Sequence, residues 1–237
     1  MDKKVTIIIV GMLISALAFS QDPNLDKILS LHYKAIGMEK LLKVNTIVMT
    51  GTMIQQDAMP VKIVRMRPNY FLMEFDIQDI TAYQAYDGEI AWWTTPWTGN
   101  PKPQLMPEDR SKDMKSRADF DGLLHYWKQK GHTIELMGRD TGDNRLYKLK
   151  VTKKEGGTEY LFIDATTFLI QKRIYYRMVR GQEVAMENYF KDYRPVNGVM
   201  FAFTQDTHFG GQPYNSLQLE SIELDQSVDK QIFRKPD

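Results

Sequence analysis

The chain of 237 residues contains no cysteine. That absence removes disulfide stapling, thiol catalysis and thiolate metal sites together. An excess of charge of one sign is missing as well, since 31 Lys and Arg stand against 30 Asp and Glu. Nucleic-acid binding normally requires a net basic surface, so no nucleic-acid partner is expected. Catalytic signatures are equally scarce. There is no G-x-S-x-G nucleophile elbow and no phosphate-cradling glycine loop. His32 lies among apolar neighbours, and the spacing of His125 and His132 is not that of a zinc site. Asp119-Phe120-Asp121 reads as loop and helix-cap chemistry rather than as paired catalytic acids. Only His208 with Asp206 would offer an acid–base pair, and only if the two converge in a cavity. No enzymatic activity, cofactor or metal is expected.

Long apolar runs are also lacking, with one exception. Val5 to Phe19 carries no charge, follows Lys3 and Lys4, and ends in Ala18-Phe19-Ser20. Small residues at those positions fit a signal-peptidase site, with Gln21 as the new N-terminus. The run is shorter than the roughly 20 residues that span a bilayer. Residues 1–20 are therefore expected to be a cleaved export signal, and 21–237 a single soluble domain. Removal of the signal leaves 29 basic and 29 acidic side chains. A chain of this size buries a core without staples.

Periodicity supplies the rest. Residues 22–44 read as a helix, with Leu25, Ile28, Leu29, His32, Ala35 and Ile36 at helical spacing and Gly37 as a break. From Asn45 the period becomes two. Ile47, Met49, Gly51 and Met53 share a face, and Gly51 permits a bend or a close backbone approach. Val61 to Met66 is a β-branched strand ended by Arg67-Pro68, because proline lacks an N–H and pushes its predecessor into extended backbone. Phe71, Met73, Phe75 and Ile77 alternate with polar or smaller partners on the next strand. Asp87-Gly88 marks a hairpin, and Trp92, Trp93 and Trp97 follow on the return strand. Pro101, Pro103 and Pro107 argue against regular structure over 98–107. Residues 108–130 read as a partly detached helix whose second half, with Phe120, Leu123, Leu124 and Trp127, is apolar on one face and is capped by Gly131. Seven further runs between Thr133 and Leu224, separated by glycine and asparagine turns, indicate an up-and-down antiparallel sheet.

Arg67-Pro68-Asn69, Tyr86-Asp87-Gly88, Phe190-Lys191-Asp192-Tyr193-Arg194 with Asn197-Gly198-Val199, and Phe233-Arg234-Lys235-Pro236, behind an export signal and an opening helix, form a recognisable order. In this the chain resembles the LolA/LolB-type periplasmic lipoprotein carriers, in the branch of outer-membrane lipoprotein-sorting proteins. The resemblance implies an α+β, mainly β fold: an incomplete, half-open antiparallel β-barrel covered by helices 22–44 and 108–130. It also implies a periplasmic protein that shields acyl chains or lipid-modified proteins in transit towards the outer membrane. Its partners would be an inner-membrane release complex and an outer-membrane acceptor. Within that family the receptor is lipid-anchored and the carrier is free, so the missing cysteine favours the carrier-like arrangement. An alternative keeps the concave sheet but makes it an envelope sensor or accessory module that binds a protein partner.

The resemblance assigns Arg67 to the cavity mouth, hydrogen-bonded to the covering helices. A guanidinium suits such a latch, since its five donors reach several carbonyls at once; a solvated strand-end arginine is the alternative. Met49, Met66, Phe71, Met73 and Phe75 are candidate wall residues. Fourteen methionines suit a wall that fits irregular chains, because thioethers are flexible and polarisable, though ordinary core packing accounts for any one of them. For Trp92 and Trp97 the resemblance implies positions lining or edging the cavity, while the residues themselves favour plain structural packing.

Overall fold

The computed structural model of the chain describes residues 22–77 and 80–236, so the expected export signal lies outside the described residues. The first helix, α1 (Leu25–Ile36), starts at Asn24, whose side chain accepts a 3.0 Å bond from the Lys27 N–H. It ends at Gly37, which adopts φ +70° and returns its N–H to the Lys34 carbonyl. A Cβ at Gly37 would stand 2.2 Å from the Gly198 carbonyl oxygen, so glycine is required there by space as well as by backbone. A short turn, α2 (Met38–Leu41), completes the opening helical segment.

Thirteen strands follow. The first six are β1 (Thr46–Ile54), β2 (Ala58–Met66), β3 (Tyr70–Ile77), β4 (Ile80–Tyr86), β5 (Ala91–Thr95) and β6 (Asn100–Leu105). After α3 (Glu108–Ala118) come β7 (Thr133–Arg139), β8 (Leu146–Thr152), β9 (Thr158–Asp164), β10 (Ile170–Val179), β11 (Gln182–Val196), β12 (Val199–Phe209) and β13 (Gln212–Leu224). They form one antiparallel sheet in the order β6-β5-β4-β3-β2-β1-β13-β12-β11-β10-β9-β8-β7. Two meanders are thus joined by the single pairing of β1 with β13. The sheet is not closed, because β6 and β7 are its two edges and do not pair. A mainly β, half-open barrel with few helices is the fold class the sequence implied.

The expected approach at Gly51 is present at the β1–β13 seam. The ladder shifts register between Thr50 and Gly51, and a Cβ on Gly51 would meet the Gln218 carbonyl oxygen at 2.1 Å. The β4–β5 hairpin closes on Gly88-Glu89, one residue later than Asp87-Gly88. Asp87 closes it from outside, donating its N–H to the Ile90 carbonyl and accepting the Glu89 and Ile90 N–H groups on its carboxylate.

Four expectations are corrected. Residues 100–105 form β6 despite Pro101 and Pro103, because β6 is an edge strand with a ladder to β5 alone, and an edge has no use for half of its N–H groups. The helix expected over 108–130 ends at Ala118. Asp119 leaves the helical region at ψ 99°, Gly122 and Tyr126 have positive φ, and 120–131 is a succession of turns. Nor is α3 detached, since it packs on β3, β4 and β5 and buries Met114 and Ala118. Trp97 lies not on a strand but in a 3₁₀ turn, Pro96–Thr98.

The sheet is buried on both faces along β2–β5. On the concave side Ile63, Phe71, Met73 and Phe75 pack with Met114 of α3. On the convex side Val64, Leu72, Ala85 and Trp92 are covered by Phe233 of a C-terminal 3₁₀ turn, Lys230–Phe233. Both parities of β3 are therefore apolar as far as Met73, which is why Leu72 breaks a simple in–out alternation, whereas Glu74 and Asp76 resume it.

Candidate functional site: a cavity closed by an arginine clamp

The concave face encloses a cavity of about 530 Å³, within the roughly 300–1,000 Å³ usual for small-molecule sites. Met49 and Met53 of β1 and Phe71 and Met73 of β3 form one wall. Leu217 and Leu219 of β13, paired beside β1, and Phe201 and Phe203 of β12 continue the lining along the sheet. Ile36, Met38 and Leu41 cover it from the opening helical segment, and Phe120, Leu123 and Leu124 from the turns after α3. Those two coverings have their own anchors. Phe120 is buried with Val44, Ile47, Phe203 and Ile222, and Leu124 with Ile28, Leu29 and Leu149.

Of the candidate residues, Met49, Phe71 and Met73 lie on this wall. Phe75 sits deeper in the same concave cluster, beside Trp97 with ring centroids 6.3 Å apart, and does not reach the cavity. Met66 and Trp92 lie on the convex face, because their positions on β2 and β5 have the opposite parity. The Trp92 ring is buried there and donates Nε1–H to the Phe233 carbonyl at 2.8 Å. Trp97 is 54 % exposed outside the cavity. Neither tryptophan is on the cavity lining, so of the two readings the lining one is set aside.

Arg67 ties together the two coverings of the barrel. Its Nε donates to the Val44 carbonyl at 2.6 Å and its Nη2 to the Leu41 carbonyl at 3.0 Å, both at the end of the opening helical segment. The same guanidinium makes a two-pronged bond to the Asp121 carboxylate at 2.7 and 3.0 Å. Such a fork is geometry that lysine lacks. The guanidinium also stacks on Phe120, 4.3 Å from its ring centroid. Asp121, which the sequence places in loop and helix-cap chemistry, is the carboxylate partner of this clamp.

Two residues the sequence did not single out extend the clamp. Arg65 donates to the Asp119 carbonyl at 2.6 Å and faces Phe120 from 5.3 Å. Lys130 grips both oxygens of the Asp119 carboxylate at 2.6 Å and the Gly122 carbonyl at 2.7 Å. Three cations thus hold residues 119–122 over the cavity.

One end of the cavity is charged. Glu159 of β9 is 1 % exposed and is held by Arg173 at 2.6 Å and Lys153 at 2.9 Å. Burial pushes its carboxyl up, but the Arg173 and Lys153 charges outweigh that and leave it below the usual glutamate value. Beside it, Arg177 Nε stands 2.6 Å from Asp113 Oδ2 of α3. The contact is ionic rather than a hydrogen bond, since the Nε–H finds no acceptor in line. Arg117 also faces this end and is in no ion pair among the described residues. Arg117 is exposed and lines the cavity, with Asp113, Arg173, Tyr175 and Arg177 near it. Removal from bulk water, with repulsion from Arg177 and Arg173, holds its guanidinium below the usual arginine value.

His32 and Tyr193 also touch the cavity. His32 donates its Nδ1–H to the Phe168 carbonyl at 2.8 Å, and burial holds its ring below the usual histidine value. Tyr193 donates its hydroxyl to the Ile170 carbonyl at 2.6 Å, and burial pushes its ionisation well above the ordinary phenol value. Among the described residues no group of three or more His, Asp and Glu is placed to hold a metal.

A half-open antiparallel barrel with an apolar cavity and helical covers defines the class of fold. No family model and no curated protein matches the chain by sequence. Solved structures match it by fold. A LolA superfamily protein from Nitrosomonas europaea superposes with a TM-score of 0.60 at 13 % identity, covering 90 % of this chain and 99 % of its own. A domain described as an outer membrane lipoprotein-sorting protein, from Vibrio parahaemolyticus, gives 0.58 at 14 % identity, covering 90 % and 98 %. The chain has the LolA-like fold. At such identities the likeness is one of fold.

Proposed function

We propose that the protein binds acyl chains, free or on lipid-modified proteins, in the barrel cavity and shields them between membranes, in lipoprotein sorting or a related transfer towards the outer membrane. The observation that carries this reading is the apolar cavity of about 530 Å³ whose two coverings are fastened to each other by Arg67. An acyl chain moved into such a cavity keeps the apolar contact it leaves behind in a bilayer, at roughly 0.8 kcal/mol per buried CH₂. Methionine-rich walls tolerate chains of different kink and length. The clamp restrains the coverings without covalent chemistry, so loading and release require only that they separate. Export to the periplasm, with residues 1–20 removed, is part of this proposal. Among the described residues no helix is long and apolar enough to cross a membrane.

Native mass spectrometry with lipid extraction, on protein purified gently from the producing cell, tests it. Co-purified acyl chains or a lipidated protein support the reading. A protein that emerges empty and also rejects added lipids refutes it, and moves the weight to a concave surface for a protein partner.

A further inference from the structure

The charged end of the cavity is not needed to enclose a hydrocarbon chain, and its polar groups are incompletely satisfied. Arg117, Arg173, Arg177 and Lys153 face two carboxylates, Glu159 and Asp113, which leaves two positive charges in excess. Of four buried polar atoms in the cavity lining that lack a hydrogen-bond partner, three belong to this end, Ser116 Oγ, Arg177 Nε and Asn188 Oδ1, and the fourth is Arg65 Nε at the clamp. Asn188 is 6 % exposed and is the cross-strand neighbour of Arg173, so the orphaned amide stands beside the cationic cluster. Ser116 and Arg117 lie three and four residues after Asp113, on one face of α3. Buried polar groups in native proteins are hydrogen-bonded almost without exception, and a cluster of exceptions requires a cause. The excess charge gives the sign of the missing partner.

We propose that this end is a headgroup site, and that the protein takes an anionic amphiphile whose carboxylate or phosphate lies between Arg117 and Arg173, with its chain along the methionine wall. This rests on the acyl-chain reading above and adds to it the charge of the head. Arg117 is the principal contact, since Arg173 and Arg177 are already in ion pairs and, among the described residues, Arg117 is in none. Ser116 Oγ–H supplies a second donor from the same helix. The Asn188 amide supplies a third, because rotation by 180° presents Nδ2 in place of Oδ1. A neutral head of the same length leaves the excess charge uncompensated.

Isothermal titration of the purified protein with laurate, dodecyl phosphate and dodecanol decides the matter, since the three share a chain and differ in the head. At least one anionic ligand is expected to bind roughly tenfold or more tightly than dodecanol, the usual worth of a charge-assisted bond. The tighter of the two identifies the head as carboxylate or phosphate. R117Q is expected to reduce that preference to about threefold or less, and R117K to retain most of it. Equal binding of all three ligands to the unaltered protein overturns the headgroup site and leaves the acyl-chain reading intact. Binding of none of them overturns both. The comparison on the unaltered protein stands even if R117Q does not fold.

Discussion

Replacing Arg67 with leucine removes four hydrogen bonds in one step: two to the Leu41 and Val44 carbonyls and two to Asp121. The Arg67 and Asp121 side chains are 22 % and 16 % exposed, so the pair is largely shielded but its ends can rewet. Breaking a fully buried pair costs roughly 3–5 kcal/mol, and partial access to water lowers the expected loss to about 2–4 kcal/mol. The cost is not spread over the molecule. It falls on the joint between the opening helical segment and residues 119–122, so hydrogen exchange should quicken there while the β1–β13 seam stays protected. Urea unfolding of Arg67→Leu, Asp121→Asn and the double variant measures the coupling directly, with an expected interaction of about 1–3 kcal/mol. Arg67→Lys should recover only part of it, because an ammonium cannot form the fork. Strictly additive single substitutions, with unchanged exchange at 119–122, refute the clamp. Faster release of bound lipid from Arg67→Leu would tie the clamp to retention.

Other outcomes follow from the packing. Gly51→Ala should destabilise by roughly 1–3 kcal/mol or more, because its Cβ would press on backbone at Gln218; a neutral effect in urea unfolding would contradict the close approach. Trp92→Phe should cost about 1 kcal/mol for the lost bond to Phe233, whereas Trp97→Ala, on an exposed side chain, should stay within about 0.5 kcal/mol. Equal losses from the two would contradict the assignment of faces. His32 titrates below its unfolded value of 6.5 in the folded chain, so the unfolded state takes up the proton first. Its contribution is complete above that value and is lost as pH falls below it towards the folded value. Thermal unfolding of His32→Gln should therefore lose part of the slope below about pH 6.5, and an unchanged slope would show that His32 is not its source.

Strand positions were legible because period two survives any tertiary context: β8 and β12 begin and end where the alternation does. The boundaries of α3 were not. The polar stretch from Glu108 to Arg117 lacks an apolar stripe, yet it is the part that is helical, held by α3's contacts on β3–β5 and by Asp113 on Arg177. The apolar spacing of Phe120, Leu124 and Trp127 mimics a helix because turns also bring such residues to one side. The Arg67 motif was recognisable, but Leu41, Val44 and Asp121 are more than 20 residues away in either direction and share no local pattern. The charged end was hidden for a different reason. Arg173, Tyr175 and Arg177 alternate along β10 as a solvated face would, and only the curvature of the sheet turns that face inward.

The unpaired edges β6 and β7 have a mechanical consequence. A closed barrel has a fixed circumference, since changing it breaks a backbone ladder. Here the ring is cut, and the cut is bridged by α3, which rests on β3–β5 at one side and reaches the other through Arg177–Asp113 and Lys115–Glu155. These are side-chain contacts, so the girth of the barrel can change while every strand pairing is kept. The gap between β6 and β7 acts as an expansion joint, and α3 is the strap across it.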